Sequence, residues 1–454
     1  MLINFYVKNF RSIRDEINLS MVSDGRYKNH LDHREPVLGM DKHALKLAVL
    51  YGANAAGKSN IVRAIGFAQD MVLEGETAIR RLAGNQFARR TDKPSEFQFQ
   101  FQAGGYQFDF GFELKEQKVV AEWLIVEGSE HSRRESMVYQ RKGEELEIGK
   151  LTAFSDGKAT KELLQTLSSL GIKDEELLLN KVIESSAESK RGSILNAAID
   201  WFQFSLKIIL PQSSFASLLT YLDKDARFRN WSAGFLSSVD TGIRHLTIEK
   251  DSIDSESIPS AFAESLQAGA PAIPLAPGIE LAADESDSSR IVRRNLRSKH
   301  VSGDEDFELP FADESDGTQR FLELLPALYP HGTVENDRST VYIIDELDRS
   351  LHPLLSRAFL QFFSDASKEK QNQLIITTHE THLLDSDLLR RDEIWFVEKG
   401  PKQASTLSSL SEFKIRNDLK LERGYLHGRF GAIPFVQGLE RLFELPDQGT
   451  EVFH

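Results

Sequence analysis

The segment Gly52-Ala53-Asn54-Ala55-Ala56-Gly57-Lys58-Ser59, followed by Asn60, has the spacing GxxxxGK[ST]. Glycines in such a turn let successive backbone N–H groups face one phosphate, and a helix that starts there adds partial positive charge. We expect the Lys58 ammonium to bridge two phosphates and the Ser59 hydroxyl to bind Mg²⁺, a hard ion that prefers oxygen ligands. The alternative is a chance glycine-rich turn. The motif predicts a binding site for a nucleoside triphosphate with magnesium.

A second chemical signal is a pair of adjacent carboxylates, Asp345 and Glu346, at the end of the apolar run Val341–Ile344. Neighbouring residues of a strand point in opposite directions, so one carboxylate can bind the metal while the other serves the reaction. We expect Asp345 beside the metal, and Glu346 positioned to orient or deprotonate the water that attacks the terminal phosphate. A buried strand that reaches a polar loop would also explain the pair. Together with the glycine-rich turn, the pair predicts a nucleotide site.

A histidine, His379, follows the apolar run that ends in Thr377 and Thr378. The stretch between the carboxylate pair and this run, 353–366, has a helical pattern, so we predict a β-α-β crossover whose two strands are parallel neighbours. His379 would then emerge at the same sheet edge as Glu346, where it can bond a phosphate oxygen or the attacking water. The alternative is a structural histidine at a strand end.

A third segment, Glu314-Ser315-Asp316-Gly317-Thr318-Gln319, precedes a short helical run from Arg320 to Leu325 that Pro326 should end or kink. Ser315, Gly317 and Thr318 offer hydroxyls and an open backbone at a helix N-terminus. By itself the segment is an N-cap. Its place shortly before the Asp345-Glu346 strand makes it a second candidate for phosphate binding.

These residues need a sheet to position them, and the pattern supplies one. Residues 2–7 alternate, 45–50 form an apolar run before the turn, and 59–73 have helical spacing after it. Residues 96–114 alternate phenylalanine with polar residues on either side of a Gly-Gly pair, which is typical of a hairpin, and 118–127 add another strand. We predict an α/β fold: a mixed sheet with flanking helices and an antiparallel β lobe.

Ser59 and Asp345 lie 286 positions apart, so a large insertion must leave the head and return to it. We predict a discontinuous head over 1–130 and 300–454 and a mainly helical insertion over 131–250. The stretch 251–288 is rich in Ser, Ala, Pro and acidic residues and poor in aromatic residues. It is predicted to be a mobile loop because it buries too little apolar surface.

Composition narrows the function classes. The 454-residue chain has a formal charge of −14, which gives no general basic surface for nucleic acid or membrane, and it contains no cysteine, which excludes thiol chemistry. No apolar run is long enough to span a bilayer, and the start lacks a secretory pattern, so we expect a soluble cytoplasmic protein. Residues 290–299 form the densest basic stretch, with two explanations: a solvated strand face, or a contact with phosphate or an acidic partner.

With these motifs in place, the chain resembles the ATP-binding-cassette ATPases of the SMC and RecF type. More narrowly, NFRSI, YGANAAGKSN, ESDGTQR, IIDELDRSLHP and TTHETHLLD resemble the abortive-infection ATPases of bacterial phage defence. That group includes the ATPase subunits of the Septu and PARIS systems and the ATPase halves of overcoming-lysogenization-defect proteins. The resemblance covers residues 1–70 and 300–440. The signature here reads ESDGTQ where LSGGQ is usual.

The resemblance implies ATP and Mg²⁺ as ligands and assigns roles by position. Lys58 and Ser59 match the Walker A lysine and serine, Asp345 and Glu346 the Walker B pair, and His379 the switch histidine. It places the signature at Ser315, Gly317 and Thr318, the D-loop at 348–352 and a tail motif at 425–434, and it leaves Gln203 and Gln212 as alternative Q-loop glutamines. It also implies a homodimer or higher homo-oligomer in which the signature of one subunit completes the ATP site of another.

Three functions follow from the resemblance and the composition. The leading hypothesis is an Mg²⁺-dependent ATPase that senses infection or DNA and controls a separate effector, an HNH or topoisomerase-primase nuclease, since residues 380–454 are too few to supply one. The first alternative is a RecF- or SMC-like DNA-repair ATPase that contacts DNA directly. The second is an assembly scaffold that ATP stabilises without appreciable turnover.

Overall fold

The computed structural model describes residues 1–82, 92–129, 135–211, 218–254, 257–267, 272–284, 290–302, 305–330, 339–368, 370–400, 402–414 and 421–430. Its strands are β1 (Leu2–Lys8), β2 (Ile17–Ser20), β3 (Arg34–Pro36), β4 (His43–Leu45), β5 (Leu47–Tyr51), β6 (Ser95–Ala103), β7 (Tyr106–Lys115), β8 (Lys118–Ser129), β9 (Ser136–Lys142), β10 (Glu145–Ile148), β11 (Leu206–Ile209), β12 (Ile243–Ile253), β13 (Ile273–Ala276), β14 (Ile279–Ala283), β15 (Ile291–Ser302), β16 (Glu305–Pro310), β17 (Val341–Ile344), β18 (Gln373–Thr378), β19 (Ile394–Lys399) and β20 (Ser405–Ser409). Its helices are α1 (Lys58–Glu74), α2 (Glu76–Leu82), α3 (Gly157–Ser169), α4 (Leu178–Ser185), α5 (Ser193–Asp200), α6 (Leu218–Lys224), α7 (Ala226–Ser238), α8 (Ser260–Gln267), α9 (Asp316–Leu328), α10 (Pro353–Ala366) and α11 (Leu421–Leu426).

The central sheet of the described chain has six strands in the order β11-β17-β18-β5-β19-β20. Its first five strands are parallel, and only β20 runs antiparallel to its neighbour β19. Because the carboxyl ends of parallel strands lie at one edge, the segments that follow β5, β17 and β18 meet there. The crossover predicted around α10 is confirmed, since β17 and β18 pair in parallel.

A second sheet forms the predicted antiparallel lobe, in the order β10-β9-β8-β7-β6-β1-β2. The phenylalanines of the hairpin β6–β7 alternate with polar residues, and those on the inner face are fully buried. They pack on each other and on Trp201, whose ring lies 4.2 Å from that of Phe101. The α/β class, with a mixed sheet, flanking helices and an antiparallel lobe, is confirmed.

The central sheet lies between two hydrophobic cores, because successive side chains of its strands point to opposite faces. Ala48 and Leu50 of β5 join the core that contains α1 and the antiparallel sheet. Leu47 and Val49 join the core that contains α7, α9 and α10. A strand that is apolar on both faces reads as a continuous run rather than an alternation, as the sequence 45–50 does.

The range 131–250, predicted to be mainly helical, contains α3 to α7, but three of its strands belong to other layers. Strands β9 and β10 extend the antiparallel sheet, and β11 is the edge strand of the central parallel sheet. The short strand Leu206–Ile209 pairs with Val341–Ile344 in parallel, a long-range contact that a local pattern does not reveal. The insertion therefore contributes to both sheets of the head.

The range 251–288, predicted to be a mobile loop, is ordered wherever the structure describes it. Helix α8 and strands β13 and β14 occupy it, and β14 pairs with β15. The physical reason is a small hydrophobic cluster of Ala263, Leu266, Leu281 and Ile291, which supplies buried apolar surface despite the polar composition.

The proline in helix α9 does not end the helix at its own position. Helix α9 continues through Pro326 and ends two residues later at Leu328, as a proline near a helix end allows. Among the described residues, no helix is long and apolar enough to cross a membrane.

Candidate functional site

The glycine-rich turn connects β5 to α1 at the carboxyl edge of the parallel sheet. Gly57 caps the helix with φ 111°, and a Cβ there would lie 2.0 Å from Ser405 Oγ. A Cβ at Gly52 would lie 2.4 Å from the backbone oxygen of Val397. Both positions therefore require glycine, one for its backbone angle and the other for a close approach to β19.

Two serines hold this turn from outside. Ser405 Oγ, at the start of β20, donates to the Ala56 carbonyl at 2.6 Å and lies at hydrogen-bond distance, 2.8 Å, from Ser12 Oγ. Ser12 Oγ in turn accepts from Asn60 Nδ2 at 2.6 Å. The turn is thus fixed by segments near both ends of the described chain, which no local motif reveals.

Lys58 is only 5% exposed and its ammonium lies over the turn. It donates to the Gly52 carbonyl at 2.7 Å and lies 3.2 Å from His379 Nδ1. Burial lowers the pKa of Lys58 to about 8, against the opposing effect of nearby carboxylates of Asp348, Asp345 and Glu346. A cation with little hydration is suited to bind phosphate, because few water molecules must be removed first.

Asp345 meets Ser59 across 286 positions of sequence. Ser59 Oγ donates to Asp345 Oδ1 at 3.1 Å, and Asp345 is almost completely buried. Thr377 Oγ1, from the neighbouring strand β18, donates to the same carboxylate oxygen at 2.6 Å. A hydroxyl and a carboxylate in contact are hard oxygen donors of the kind that Mg²⁺ prefers, so the residues fit a magnesium ion.

Glu346 is held by the same threonine. Its backbone N–H donates to Thr377 Oγ1 at 2.8 Å, and its φ of 51° lies in the left-handed region. That conformation is uncommon for glutamate and costs about 1–3 kcal/mol unless neighbours stabilise it. Thr377 therefore bonds to the carboxylate of Asp345 and to the backbone of Glu346, a role that the sequence did not single out.

His379 lies directly after β18, on the edge predicted for it. Since the Lys58 ammonium can only donate, His379 Nδ1 accepts, and the neutral ring then carries its proton on Nε2. Its backbone N–H lies 3.3 Å from Asp348 Oδ2 in the D-loop segment. The ring is thereby prepared to donate a hydrogen bond from Nε2.

One cavity of about 700 Å³ collects most of the predicted residues. Asn54, Ala55, Gly57, Lys58, Ser59, Asn60, Glu346 and His379 line it. Gly52 and Ala56 do not line the cavity, but their carbonyls accept hydrogen bonds from Lys58 and Ser405. Asp345 also lies outside the lining and contacts Ser59, which is part of it. The geometry expected of a triphosphate site is present in a single chain.

The cavity also has a cationic rim that the motifs did not indicate. Arg11, Arg63, Arg349 and Lys399 line it beside the turn. Burial lowers the pKa of Arg11, and the charge of Arg63 lowers it further, which shows that the two cations lie close together. Like charges gathered in a cleft favour a polyanionic ligand. Two of the four lie in motifs already quoted, Arg11 in NFRSI and Arg349 in IIDELDRSLHP, but neither motif assigned them a role.

The signature segment does not line this cavity in its own chain. Ser315 and Asp316 are exposed at the start of α9, and Ser315 Oγ accepts from the Thr318 backbone N–H at 3.2 Å. The segment packs on the D-loop instead, since a Cβ at Gly317 would lie 2.7 Å from the Ser350 carbonyl. The helix N-terminus with the exposed Ser315, the half-buried Gly317 and the buried Thr318 thus lies outside the lining of this cavity.

Helix α9 is nevertheless connected to the carboxylate strand. Arg320, which is buried, donates to the Leu210 carbonyl and to the Asp345 carbonyl, both at 3.3 Å. Arg320 therefore joins α9 to the backbone that carries Asp345.

The remaining candidates are less central. Gln203 is exposed in a π-helical turn over Trp201–Ser205 and does not line the cavity, and Gln212 lies outside the described residues. Of the tail motif, residues up to Phe430 are described; Tyr425 stacks on Phe396 of the central sheet, with ring centroids 5.6 Å apart.

The basic stretch on β15 is engaged by carboxylates. Arg294, 2% exposed, contacts Asp223 and Glu280, each at 3.2 Å, and burial raises the pKa of Glu280. The neighbouring cations pair likewise: Arg293 with Asp251, Arg297 with Glu249, and Lys299 with Asp306. This arrangement favours the solvated and paired strand face over a phosphate contact.

Comparisons with known proteins found one family model and several solved structures similar to this chain. A family model described as "AAA domain, putative AbiEii toxin, Type IV TA system" matches residues 47–385. No curated protein matches the chain. Among solved structures, the SMC head domain from Thermotoga maritima is 13% identical with a TM-score of 0.39, covering 91% of this chain and 99% of its own. The SmcHead bound to the C-winged helix domain of ScpA is 14% identical with a TM-score of 0.38, covering 93% of this chain and 99% of its own.

Proposed function

Because the chain belongs to the family of AAA domains whose model matches residues 47–385, we propose that it binds and hydrolyses ATP with Mg²⁺. The observation that carries the proposal is the convergence of Lys58, Ser59, Asp345, Glu346 and His379. Three separate chain segments deliver these residues to one edge of one sheet. Hydrogen-bond donors, an acceptor for the proton of water and metal ligands, brought together in this way, are suited to phosphoryl transfer to water.

Each residue has a defined task in the proposed reaction. The backbone N–H groups of the turn and the Lys58 ammonium bind the β- and γ-phosphates and stabilise negative charge as the bond between them breaks. Glu346 orients a water molecule for attack on the γ-phosphorus and accepts its proton. His379 donates from Nε2 to a γ-phosphate oxygen. ADP leaves with the bridging oxygen, and inorganic phosphate is the second product.

Ser59 and Asp345 are the residues that would hold magnesium. When bound, the ion neutralises charge between the β- and γ-phosphates. The role of Thr377 is to keep Asp345 in place, since its hydroxyl donates to the Oδ1 that also contacts Ser59.

The arrangement of the signature supports a site shared between two copies of the chain. Ser315 and Gly317 face outward at a helix N-terminus, beside a nucleotide cavity whose own residues come from other segments. In a head-to-head homodimer, Ser315 of each copy would reach the nucleotide of the other. ATP that contacts both copies stabilises the closed dimer only through its higher affinity for that state. Arg320 then transmits closure to the Asp345 strand.

The biological role that we propose is control of a separate toxic effector, an HNH or topoisomerase-primase nuclease, in an anti-phage defence complex. Two features support a protein partner over DNA as the main target. The chain has a charge of −14, and the densest basic strand pairs its side chains with carboxylates. A RecF- or SMC-like repair function remains the alternative, and the cationic rim with Arg11 and Arg63 is the feature that favours it. A further alternative is that the protein is an assembly scaffold, which bound ATP stabilises without appreciable hydrolysis.

The decisive experiment compares three variants in ATP binding, turnover and mass by light scattering. Glu346→Gln should bind ATP, lose at least about a hundredfold in kcat, and accumulate as an ATP-bound dimer. Lys58→Ala should lose ATP binding, and the exposed Glu145→Gln should behave as wild type. Unchanged turnover in Glu346→Gln contradicts the proposed chemistry, whereas a wild type that binds ATP without turning it over indicates the scaffold.

The partner is tested with the same variants. Affinity capture with each neighbouring gene product should retain a nuclease with wild type, and the amount retained should differ in the ATP-trapped Glu346→Gln. ATP-dependent binding to DNA that weakens steeply with salt would favour the repair function instead.

A further inference from the structure

A second cluster of metal-ligating side chains lies away from the nucleotide cavity. One ring nitrogen from each of His30 and His33 and a carboxylate oxygen of Asp32 lie within 4.8 Å of one another. Among the described residues this is the one group of three such side chains that close together. The cluster occupies the turn that precedes β3, and no residue of it lines the nucleotide cavity.

Both rings have one nitrogen engaged by an acceptor, which leaves the other free. His30 Nε2 lies 3.0 Å from the Ser386 carbonyl, and a carbonyl only accepts, so this nitrogen carries the proton. His33 Nδ1 lies 2.9 Å from Oε1 of the fully buried Glu393. Histidines that bind metals donate their second N–H to a carbonyl or a carboxylate in this way, which fixes the tautomer and directs a lone pair to the ion.

The turn is also held rigidly before any ion binds. Arg390, fully buried and paired with Asp392, donates to the carbonyls of Asn29 at 2.6 Å and Asp24 at 3.3 Å. His30 has φ 44°, an uncommon left-handed conformation that these bonds help to maintain. The imidazole rings of His30 and His33 are stacked, with centroids 4.8 Å apart. Ligands on a fixed backbone lose less entropy when an ion binds.

We propose that His30, Asp32 and His33 form a binding site for a divalent first-row transition metal of the Zn²⁺ type. Two imidazole nitrogens and one carboxylate suit such an ion, whereas Mg²⁺ prefers oxygen ligands. Ligand atoms of tetrahedral zinc lie about 3.4 Å apart, so the exposed Asp32 carboxylate and the His30 ring must move inward by about 1 Å, and water completes the coordination. The turn that holds the ion contacts the segment leading into β19 through His33 and Glu393, and β19 is the neighbour of the strand that precedes the glycine-rich turn.

The test uses the full chain, stripped of metal by chelator and kept free of Mg²⁺. Co²⁺ alone serves as the spectroscopic probe, and Zn²⁺ is titrated against a chromophoric chelator. Wild type should bind one equivalent and show visible d–d absorption of Co²⁺ with nitrogen ligands. His30→Ala and Asp32→Asn, which change side chains that are not buried, should lose this binding, and the exposed His245→Ala should keep it.

Two more variants separate this site from the nucleotide site and from misfolding. Lys58→Ala should bind Co²⁺ as wild type does, since its defect concerns ATP alone. Glu393→Gln should weaken metal binding about 10–100-fold through the orientation of His33. Circular dichroism should show that His30→Ala is folded. The proposal is overturned if wild type binds no Co²⁺ or Zn²⁺, or if folded His30→Ala and wild type bind equally well.

Discussion

The threonine beside the two carboxylates offers the sharpest test of how the site is positioned. Thr377→Val keeps the size and branching of the side chain but removes the hydroxyl. Two hydrogen bonds are lost: the one donated to Asp345 Oδ1 at 2.6 Å and the one accepted from the Glu346 N–H at 2.8 Å. The bond to Asp345 is buried and the bond from the Glu346 N–H is partly buried, so water replaces the first poorly and the second only in part.

The magnitude follows from these two bonds. A bond to a charged carboxylate contributes about 1.5–3 kcal/mol and a neutral one about 1 kcal/mol, so the free energy of unfolding should fall by about 2–4 kcal/mol. Glu346 also loses a contact that holds its φ at 51°, and it can relax away from the attacking water. If about 1.4–2.8 kcal/mol of that positioning is lost in the transition state, kcat falls about 10–100-fold.

The assay measures kcat and the ATP Kd separately. The Thr377 hydroxyl bonds to Glu346 and Asp345, whereas Lys58 bonds to the Gly52 carbonyl, so the Kd should change by less than about threefold. The control is Thr378→Val, a buried neighbour whose hydroxyl accepts only from the Glu380 N–H, and it should keep its kcat. The reasoning is refuted if folded Thr377→Val keeps wild-type kcat, or if both variants lose kcat equally.

Two further predictions concern charge. Burial lowers the pKa of Lys58 to about 8, whereas the unfolded chain keeps the ordinary value of 10.5. Between these two pH values the unfolded state binds more protons than the folded state, so the stability of the free protein should rise with pH. ATP affinity should fall above pH 8, because the Lys58 ammonium loses its proton. Denaturant melts and ATP titrations from pH 7 to 10 measure both trends, and Lys58→Met should show neither. Arg294→Met leaves the carboxylates of Asp223 and Glu280 without their buried cation. The free energy of unfolding, measured in urea, should fall by about 3–5 kcal/mol. The control Arg293→Met, at an exposed ion pair, should lower it by less than about 1 kcal/mol. Equal costs, or a loss of ATP binding in Arg294→Met, would contradict the structural role of the paired strand.

Parts of the fold that depend on local pattern were predictable from the sequence. The phenylalanine hairpin, the helix after the glycine-rich turn and the helix 353–366 have the bounds expected to within a few residues. Each has a strong period of its own, two for the strands and 3.6 for the helices, so distant residues were not needed to recognise it.

Parts of the fold that depend on contacts between distant residues were not predictable from the sequence. The strand Leu206–Ile209 is four residues long, and its identity as the edge of the central sheet comes from pairing with residues about 135 positions away. The segment 251–288 was predicted to be mobile on composition, but a few apolar residues meet across its helix and strands. Composition averages over a segment, whereas burial depends on which few side chains meet.

For the candidate site, the sequence alone determined which residue types are available: a glycine-rich turn with its lysine and serine, a carboxylate pair and a histidine. These types and spacings are dictated by what a triphosphate and a hard metal ion require. Only the tertiary structure decided that Thr377 bonds to the Asp345 carboxylate and the Glu346 backbone, that Ser12 and Ser405 hold the turn, and that Arg11, Arg63 and Lys399 line the cavity. The physical reason is that a motif fixes the spacing of residues that are neighbours in the chain. Hydrogen bonds and electrostatic interactions depend on distances in space, and only the folded sheet sets these distances.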